Sequence, residues 1–153
     1  MENQAIQELL DIEAIKQLKG QYCLCVAIED WATFFTLFTE DLEFVTPTAG
    51  VSYKPRSAFY AMHKANLQDT KCWGVVRCFT PIITLTGPDT ATGIWAMEDV
   101  HVYPGDGPRV GHHGYGQYHE DYVRTDDGWR FKRIEVRYNR LEALEGGFGP
   151  ATK

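Results

Sequence analysis

The sequence predicts one α+β domain, with helices in its N-terminal part and a sheet of long strands after them. Two observations support this fold class. Apolar residues recur at helical spacing early in the chain, whereas from residue 72 onward Val, Ile, Thr and Phe form long runs separated by turn residues. The 153 residues are enough for one hydrophobic core. We therefore expect a single domain over residues 1–145 and a glycine-rich tail over 146–153.

The first predicted helix covers residues 4–29. Its inner face includes Ile15, Leu18 and Tyr22, which follow one another by steps of three and four residues. Asp30 is placed to cap a second, short helix. The inner side of that second helix would carry aromatic residues, namely Trp31, Phe34, Phe35 and Phe38.

The rest of the chain is predicted to be mostly strand. Two short strands, near 42–45 and 51–53, precede a third helix over residues 56–66, and Pro55 suits the first turn of that helix. Turn residues then divide the remaining chain into four long strands, at 72–86, 91–103, 110–124 and 129–140. A long curved sheet with helices on its concave side encloses a cavity, which is the usual place for a small-molecule site.

Composition excludes several classes of partner. The net charge is −6, whereas nucleic-acid binding requires clustered Lys and Arg. No apolar run approaches the roughly 20 residues that cross a bilayer, and the N-terminus lacks a secretion signal, so we expect a cytoplasmic protein with no membrane partner. The four cysteines lack the CxxC spacing of zinc or redox sites, and we expect reduced thiols.

Short motifs spread over residues 8–140 together resemble one family. They are Asp11–Ile15, Leu18–Gly20 with Tyr22, Asp30–Trp31, Leu37–Asp41, Thr90–Asp99, Gly114–His119 and Asp127–Arg130. The set resembles the SnoaL-like proteins of the nuclear transport factor 2-like superfamily. Within that superfamily it is most similar to the branch of bile-acid 7α-dehydratase, scytalone dehydratase and hexachlorocyclohexane dehydrochlorinase.

The resemblance implies a fold and a type of chemistry. The fold would be a cone-shaped α+β barrel, with a curved, mostly antiparallel sheet wrapped by three N-terminal helices around an internal hydrophobic pocket. The chemistry would be elimination from a hydrophobic ring without a metal or an organic cofactor. Related proteins form dimers or trimers through the open sheet face, so we expect a homo-oligomer.

Two positions depart from the pattern of that branch. The Asp near the end of its first helix corresponds to Ala27 here, and the His at the start of its first long strand falls near Val76. Neither side chain can accept a proton, so the usual base is replaced. The resemblance still carries over four site positions, which are Tyr22, Asp99, His101 and Arg137.

Asp99 and His101 form the first candidate catalytic pair. They lie two residues apart on a predicted strand, so their side chains share one face with Trp95 and Met97. If this face lines the pocket, a carboxylate and an imidazole lie beside an aromatic wall. The alternative is that His101 lies near the end of the strand and is solvated.

His112 is the second candidate for moving a proton. It shares strand parity with Tyr118, and the glycines between them leave space for a ligand. The alternative is a surface histidine at the strand end. His113 and His119 have the opposite parity, so we expect structural or interface roles for them. Parity also argues against a zinc site made of these histidines, and no metal is expected.

Tyr22 and His63 each allow more than one interpretation. The phenol of Tyr22 lies on an otherwise apolar helix face, where it would contact a substrate oxygen or Asp99, or serve as an ordinary core tyrosine. His63 on the third helix would border the mouth of the pocket, as a gatekeeper or as a surface residue.

Three further charged residues are assigned from their positions. Asp30 is expected to cap the second helix, with a displaced catalytic base as the alternative. Arg77 is expected to point away from the pocket, toward the surface or a subunit contact. Arg137 would hold a phenolate, carboxylate or carbonyl oxygen in the pocket.

These residues together indicate a cofactor-independent lyase or isomerase. It would catalyse dehydration, double-bond migration or cyclisation of a hydrophobic, ring-containing, oxygenated small molecule. The alternative is a non-catalytic ligand-binding or assembly protein that has lost the Asp and His base. The substrate-binding set would be Phe35, Tyr53, His63, Trp95, Met97, Tyr118 and Arg137.

Overall fold

The structure is a computed structural model that describes residues 2–65, 73–103 and 110–144. Its helices are α1 (Glu2–Ile28), α2 (Trp31–Thr36) and α3 (Arg56–His63), with a short 3-10 turn at Pro47–Ala49. Its strands are β1 (Phe38–Thr46), β2 (Val51–Tyr53), β3 (Trp73–Gly87), β4 (Thr90–Tyr103), β5 (Val110–Thr125) and β6 (Gly128–Leu144). The predicted α+β class, with helices before a curved sheet of long strands, is confirmed.

Helix α1 buries one stripe and exposes the other. Ile15, Leu18, Tyr22 and Val26 recur by steps of three and four residues, and each is less than a tenth exposed. This stripe packs mainly against β3. Leucines elsewhere on the helix remain exposed, and they are Leu9, Leu10 and Leu24. Among the described helices, none has the length and apolar character that crossing a bilayer requires.

The two shorter helices differ slightly from their predictions. Asp30 caps α2 as expected, because its Oδ1 accepts a hydrogen bond from the Thr33 amide at 3.1 Å. Phe38 does not lie on α2 but begins β1, since the Leu37 carbonyl already accepts a 3.0 Å hydrogen bond from Phe131 in β6. Helix α3 ends at His63, and Pro55 precedes it at the capping position instead of occupying its first turn.

The sheet has the strand order β2-β1-β6-β5-β4-β3. Neighbours are antiparallel except β1 and β6, which run parallel. Strand β1 is longer than the predicted 42–45 segment because its pairing with β6 begins at Phe38. Strands β2 and β3 form the two open edges, so the barrel is not closed. The hairpin turn between β5 and β6 is found as predicted. The predicted turn at 104–107 and the C-terminal tail lie outside the described residues.

Alternation along β4 separates the two faces of the sheet. Ala91, Trp95, Met97 and Asp99 are buried on the concave side, whereas Ile94 points outward and is exposed. The core lies between this concave face and the helices. The described cysteines, Cys23, Cys25 and Cys78, are free thiols.

Candidate active site

A cavity of about 440 Å³ lies between the helices and the concave face of the sheet. All three helices contribute to its lining, as do β1 and β3 to β6. Most of the lining is apolar, and its aromatic members include Trp31, Phe34, Phe44, Phe59 and Trp73. A cavity of this size and character suits a hydrophobic small molecule.

A cluster of polar side chains forms one wall of this cavity. Asp99 is 1% exposed, and it lies beside His101 on the same strand. His101 and His112 face each other across β4 and β5. The Asp99 Oδ2 atom is 3.4 Å from His101 Nε2, and Oδ1 is 3.5 Å from His112 Nε2. Tyr138 completes the cluster by donating a 2.6 Å hydrogen bond to Asp99 Oδ2.

Two glycines make room for this polar cluster. A Cβ atom at Gly74 would lie 2.5 Å from His101 Nδ1. A Cβ atom at Gly114 would lie 2.3 Å from Asp99 Oδ1 and 2.5 Å from the Tyr138 ring. Any side chain at these positions would collide with the cluster, so the glycines permit the close approach of its members.

The Asp99 carboxyl group is held in its ionised form. Burial opposes ionisation, but the close contacts of His101 and His112 and the hydrogen bond from Tyr138 outweigh it and keep the pKa of Asp99 below its usual value. Each carboxylate oxygen therefore faces one imidazole. This arrangement can orient both rings and stabilise a positive charge on either of them.

Tyr22 and Tyr118 present two phenol rings to the cavity. Their ring centroids are 5.9 Å apart, and the rings meet edge to face. Burial raises the pKa of both phenols above the ordinary value, so they remain protonated and can donate hydrogen bonds. Such donors can hold a substrate oxygen.

A buried ion pair lies directly behind these phenols. The Lys19 ammonium is 3.5 Å from the Tyr118 ring centroid and 4.2 Å from that of Tyr22. It binds Glu120 at 2.5 Å, and both side chains are almost fully buried. Burial opposes the charge on Lys19, but Glu120 outweighs this effect and raises the lysine pKa. Tyr122 also donates a hydrogen bond to Glu120.

His63 is the polar side chain that α3 contributes to the cavity. It is 3% exposed, and its ring lies 4.2 Å from that of Trp31. Burial and the proximity of His101 lower its pKa to about 4, so the imidazole is neutral at neutral pH.

The same cluster could hold a divalent metal ion. One potential ligand atom from each of Asp99, His101 and His112 lies within 4.8 Å of the others. Two imidazoles and a carboxylate are a donor set for zinc or non-haem iron. The Tyr138 hydroxyl donates a hydrogen bond to Asp99 Oδ2 and would orient this carboxylate ligand without contacting the metal itself.

The cavity brings together about half of the predicted site residues. It is lined by Tyr22, His63, Asp99, His101, His112 and Tyr118. His101 and His112 line the cavity with about a fifth of each side chain exposed, whereas His63 is buried and not a surface residue. His113 and His119 point elsewhere, as their parity predicts, and His113 pairs with Glu98 at 2.6 Å.

Arg137 is not part of the cavity. Its side chain is half exposed and pairs with Glu135, whereas its neighbours Val136 and Tyr138 line the cavity. In the pairing of β5 with β6, Asp121 lies opposite Arg133 and Tyr122 opposite Phe131, so Lys132 is an extra residue in β6. This bulge changes which side of β6 faces inward, from Phe131 before it to Val136 and Tyr138 after it. The predicted role of Arg137 was therefore assigned one residue away from the side chain that faces inward.

Four other predicted contacts also lie outside the lining. Trp95 and Met97 share the face of Asp99 but are packed into the core, and the Trp95 indole donates a 2.9 Å hydrogen bond to Tyr122. Phe35 packs on Tyr60 with ring centroids 4.7 Å apart, and Tyr53 packs on Phe59. Each of these side chains packs against a neighbouring residue and so does not reach the cavity, although Trp95 and Met97 lie on the concave face of the sheet.

The replaced positions fall in different surroundings. Val76 is buried, lines the cavity and pairs with Asp99 across β3 and β4. Ala27 is exposed and lies outside the lining, where Val26 takes the inward place. Asp30 caps α2 and is not among the lining residues, and Arg77 is exposed as predicted.

Three candidate residues were missed by the sequence interpretation. Tyr138 has the same parity as Val136 on β6, but no pattern in the sequence indicates the extra residue earlier in that strand. Lys19 lies four residues after Ile15 and three before Tyr22, so its spacing did place it on the buried stripe. Glu120 shares parity with Tyr118 and Tyr122, which could have identified its partner.

Comparison with known proteins agrees with this architecture. The model of the SnoaL-like domain matches residues 7–135. A candidate scytalone dehydratase from Novosphingobium aromaticivorans DSM 12444 is similar in structure, with a TM-score of 0.78, 20% identity and coverage of 97% of this chain and 99% of that one.

Two dehydrochlorinases have a similar structure. A hexachlorocyclohexane dehydrochlorinase (LinA) Type2 gives a TM-score of 0.81 at 16% identity, covering 96% of this chain and 98% of that one. The LinA-type3 enzyme from Novosphingobium barchaimii LL02 gives 0.74 at 18% identity, covering 95% and 99%. At 20% identity or less, these structural similarities show the fold alone. The domain match shows the family, because it extends over residues 7–135. The chain belongs to the SnoaL-like family.

Proposed function

We propose that this protein is a lyase or isomerase that acts on a hydrophobic, ring-containing, oxygenated small molecule without an organic cofactor. The observation that carries this proposal is the cluster of Asp99, His101 and His112 in the wall of an otherwise apolar cavity. Family membership and dehydratase and dehydrochlorinase neighbours are consistent with lyase chemistry. The cluster supports a proton-transfer step, which both dehydration and double-bond migration require.

The two imidazoles supply a base and an acid. In a dehydration, one neutral ring takes a proton from carbon, and the C–H electrons form the new double bond. The C–O bond breaks as the other ring, in its protonated form, gives a proton to the departing hydroxyl, which leaves as water. Asp99 faces both rings and stabilises the positive charge as it passes from one to the other. A double-bond migration would use the same rings to remove a proton and return it to a different carbon.

The remaining lining would bind and orient the substrate. The phenols of Tyr22 and Tyr118 donate hydrogen bonds to an oxygen that becomes more negative as the C–H proton leaves. The aromatic walls contact the rings of the substrate and exclude water, which strengthens each polar contact. A cyclisation would rely on the shape of the same walls.

A screen for conversion tests the proposal. The protein is incubated in D₂O with a panel of ring ketones, β-hydroxy ketones and ring alcohols, and mass spectrometry reads loss of water or gain of deuterium. We expect at least one compound to react with wild-type protein, and Tyr22→Phe to slow that reaction about ten-fold because one hydrogen bond to the oxygen is lost. Equal rates for wild type and Tyr22→Phe would contradict the assignment of Tyr22.

Ala27 and Val76 favour a second candidate function, namely ligand binding without catalysis. Such a protein would retain the cavity and bind ring compounds unchanged. The same screen separates the two functions, because a binding protein would retain a compound through buffer exchange without altering the mass of that compound. Tight binding without conversion anywhere in the panel would favour this second function.

We further propose that the protein is a homo-oligomer, dimer or trimer, located in the cytoplasm. The convex face of the sheet carries neighbouring apolar side chains, Phe79, Ile82, Ile94 and Tyr115, that are exposed in the isolated chain. A second copy of the chain would cover them. Light scattering should therefore give a multiple of 17.4 kDa, and a monomer at micromolar concentration would contradict the proposal.

A further inference from the structure

One polar side chain, the imidazole of His63, is buried among apolar rings in the wall of the cavity. His63 is 3% exposed and packs against the rings of Trp31, Phe34 and Phe59. Within the described part of the chain, its Nδ1 atom is buried without a hydrogen-bond partner. The side chain lines the cavity, so a bound molecule can reach the ring.

Such a residue is costly for the empty protein. A buried nitrogen without a partner loses its bond to water and gains nothing in return. An aromatic hydrocarbon side chain would fill the same space among these rings without that loss. The cost is offset when a ligand supplies the missing partner.

His63 lies on a different element from the polar cluster. It belongs to α3, whereas Asp99, His101 and His112 belong to β4 and β5, and all four line the same cavity. His101 lies close enough to His63 to contribute to the lowering of the His63 pKa. His63 and the cluster therefore face the same cavity from different elements, one on a helix and one on the sheet.

We propose that His63 binds a second oxygen of the substrate, and that the substrate class is a rigid ring compound with two oxygen functions. One oxygen lies at the Asp99 cluster and the other at His63, with the ring frame between them in the apolar part of the cavity. The neutral imidazole can donate to this oxygen or accept from its hydroxyl group. This inference rests on the proposed function of the same cavity.

Binding of matched probes tests the inference. The probes are 1-naphthol and 2-naphthol, with one hydroxyl, and 1,5-, 2,6- and 2,7-dihydroxynaphthalene, with two. Quenching of tryptophan fluorescence reports binding, because Trp31 contacts His63. We expect at least one diol to bind wild-type protein about ten-fold more tightly than the corresponding naphthol. His63→Phe should remove this preference while retaining affinity for the naphthols.

Tyr60→Phe is the matched control, because Tyr60 is exposed on the same helix. It should leave the diol preference unchanged. If no diol is preferred by wild type, or if His63→Phe keeps the preference, the inference is overturned.

Stability without ligand gives a second readout. His63→Phe should raise the melting temperature of the empty protein by about 3 °C, because an unpaired buried nitrogen is removed. A lower melting temperature together with an unchanged diol preference would mean that His63 only supports the fold. Loss of diol preference in His63→Phe, with no conversion of any compound by wild type, would support the second oxygen site and overturn the enzyme proposal instead.

Discussion

The phenol of Tyr138 on β6 donates a 2.6 Å hydrogen bond to Oδ2 of Asp99 on β4, across the intervening strand. Gly114 on that strand leaves the gap through which the two side chains meet. Asp99 thus receives a third contact in addition to the two imidazoles. The bond fixes the carboxylate and helps to keep it ionised.

Removing this hydrogen bond should slow catalysis. Tyr138→Phe keeps the ring in place, but it leaves Asp99 with a weaker set of donors, and we expect turnover to fall about ten-fold. Steady-state kinetics on a compound found in the D₂O screen measures the effect. Tyr60→Phe is the control, since Tyr60 is exposed on α3 outside the lining of the cavity and should retain full activity. An active Tyr138→Phe variant would mean that the bond is not needed.

Filling the gap should have a larger effect than removing the bond. The methyl group of Gly114→Ala would meet both Asp99 and Tyr138 at less than 3 Å, so the pair must separate. We expect a loss of about 1–3 kcal/mol in the free energy of unfolding, together with lower turnover.

Gly20→Ala is the matched control for Gly114→Ala. Gly20 lies on α1, and a Cβ atom there would contact nothing within 4 Å. The change should raise the free energy of unfolding by about 0.5–1 kcal/mol, because alanine favours the helix. If Gly114→Ala were as stable and active as Gly20→Ala, the close approach at Asp99 would be unimportant.

The buried ion pair behind the phenols should behave as a unit. Lys19→Met leaves the Glu120 carboxylate buried without its cation, and we expect a loss of about 3–5 kcal/mol in the free energy of unfolding. The double variant Lys19→Met/Glu120→Gln keeps an acceptor for Tyr122 and should recover most of that loss. Urea denaturation measures each variant.

The exposed pair of Lys132 and Asp41 provides the comparison for that experiment. Lys132→Met should change the free energy of unfolding by less than about 1 kcal/mol, since exposed ion pairs contribute little. Additive losses in the Lys19 and Glu120 variants would show that the two residues do not act together.

Stability should decrease in acid between pH 6.5 and about 4 because of His63. Its pKa is about 4 in the folded protein and 6.5 when unperturbed, so the unfolded chain binds a proton first as the pH falls. Folding therefore becomes less favourable through this window, by at most about 3 kcal/mol and by about 2 kcal/mol after allowance for solvent screening.

His63→Phe provides the check on this pH dependence. The variant lacks the titrating group, so its stability should vary less than that of wild type between pH 6.5 and about 4. Asp99, whose pKa is lowered, is lost as a stabilising anion only at lower pH, below its ordinary value near 4, in both proteins. Parallel curves for the two proteins would contradict the assignment to His63.

The order of elements was predictable because it depends on local patterns. The steps of three and four in α1 and the turn residues between the long strands placed these elements within a few residues of their observed ends. The longer β1 was not predictable in the same way, because its extent depends on parallel pairing with β6, which lies far along the chain.

The site could be predicted only where strand parity decides the direction of a side chain. Asp99, His101 and His112 were found in this way. The prediction for Arg137 was wrong because an extra residue in β6, Lys132, changes which side of that strand faces inward. The prediction for Trp95 was wrong because this side chain, although of correct parity, is packed into the core. Both failures arise from tertiary contacts, which one sequence does not specify.

Asp99→Asn is the most direct test of the central claim, that a buried carboxylate with two imidazoles moves a proton in this cavity. The measured quantity is turnover of a compound from the screen, alongside the melting temperature. Asp121→Asn, at an exposed position on β5, is the control. We predict at least about a 100-fold loss of turnover for Asp99→Asn in a folded protein, and none for the control. Turnover within about two-fold of wild type in folded Asp99→Asn would contradict the claim.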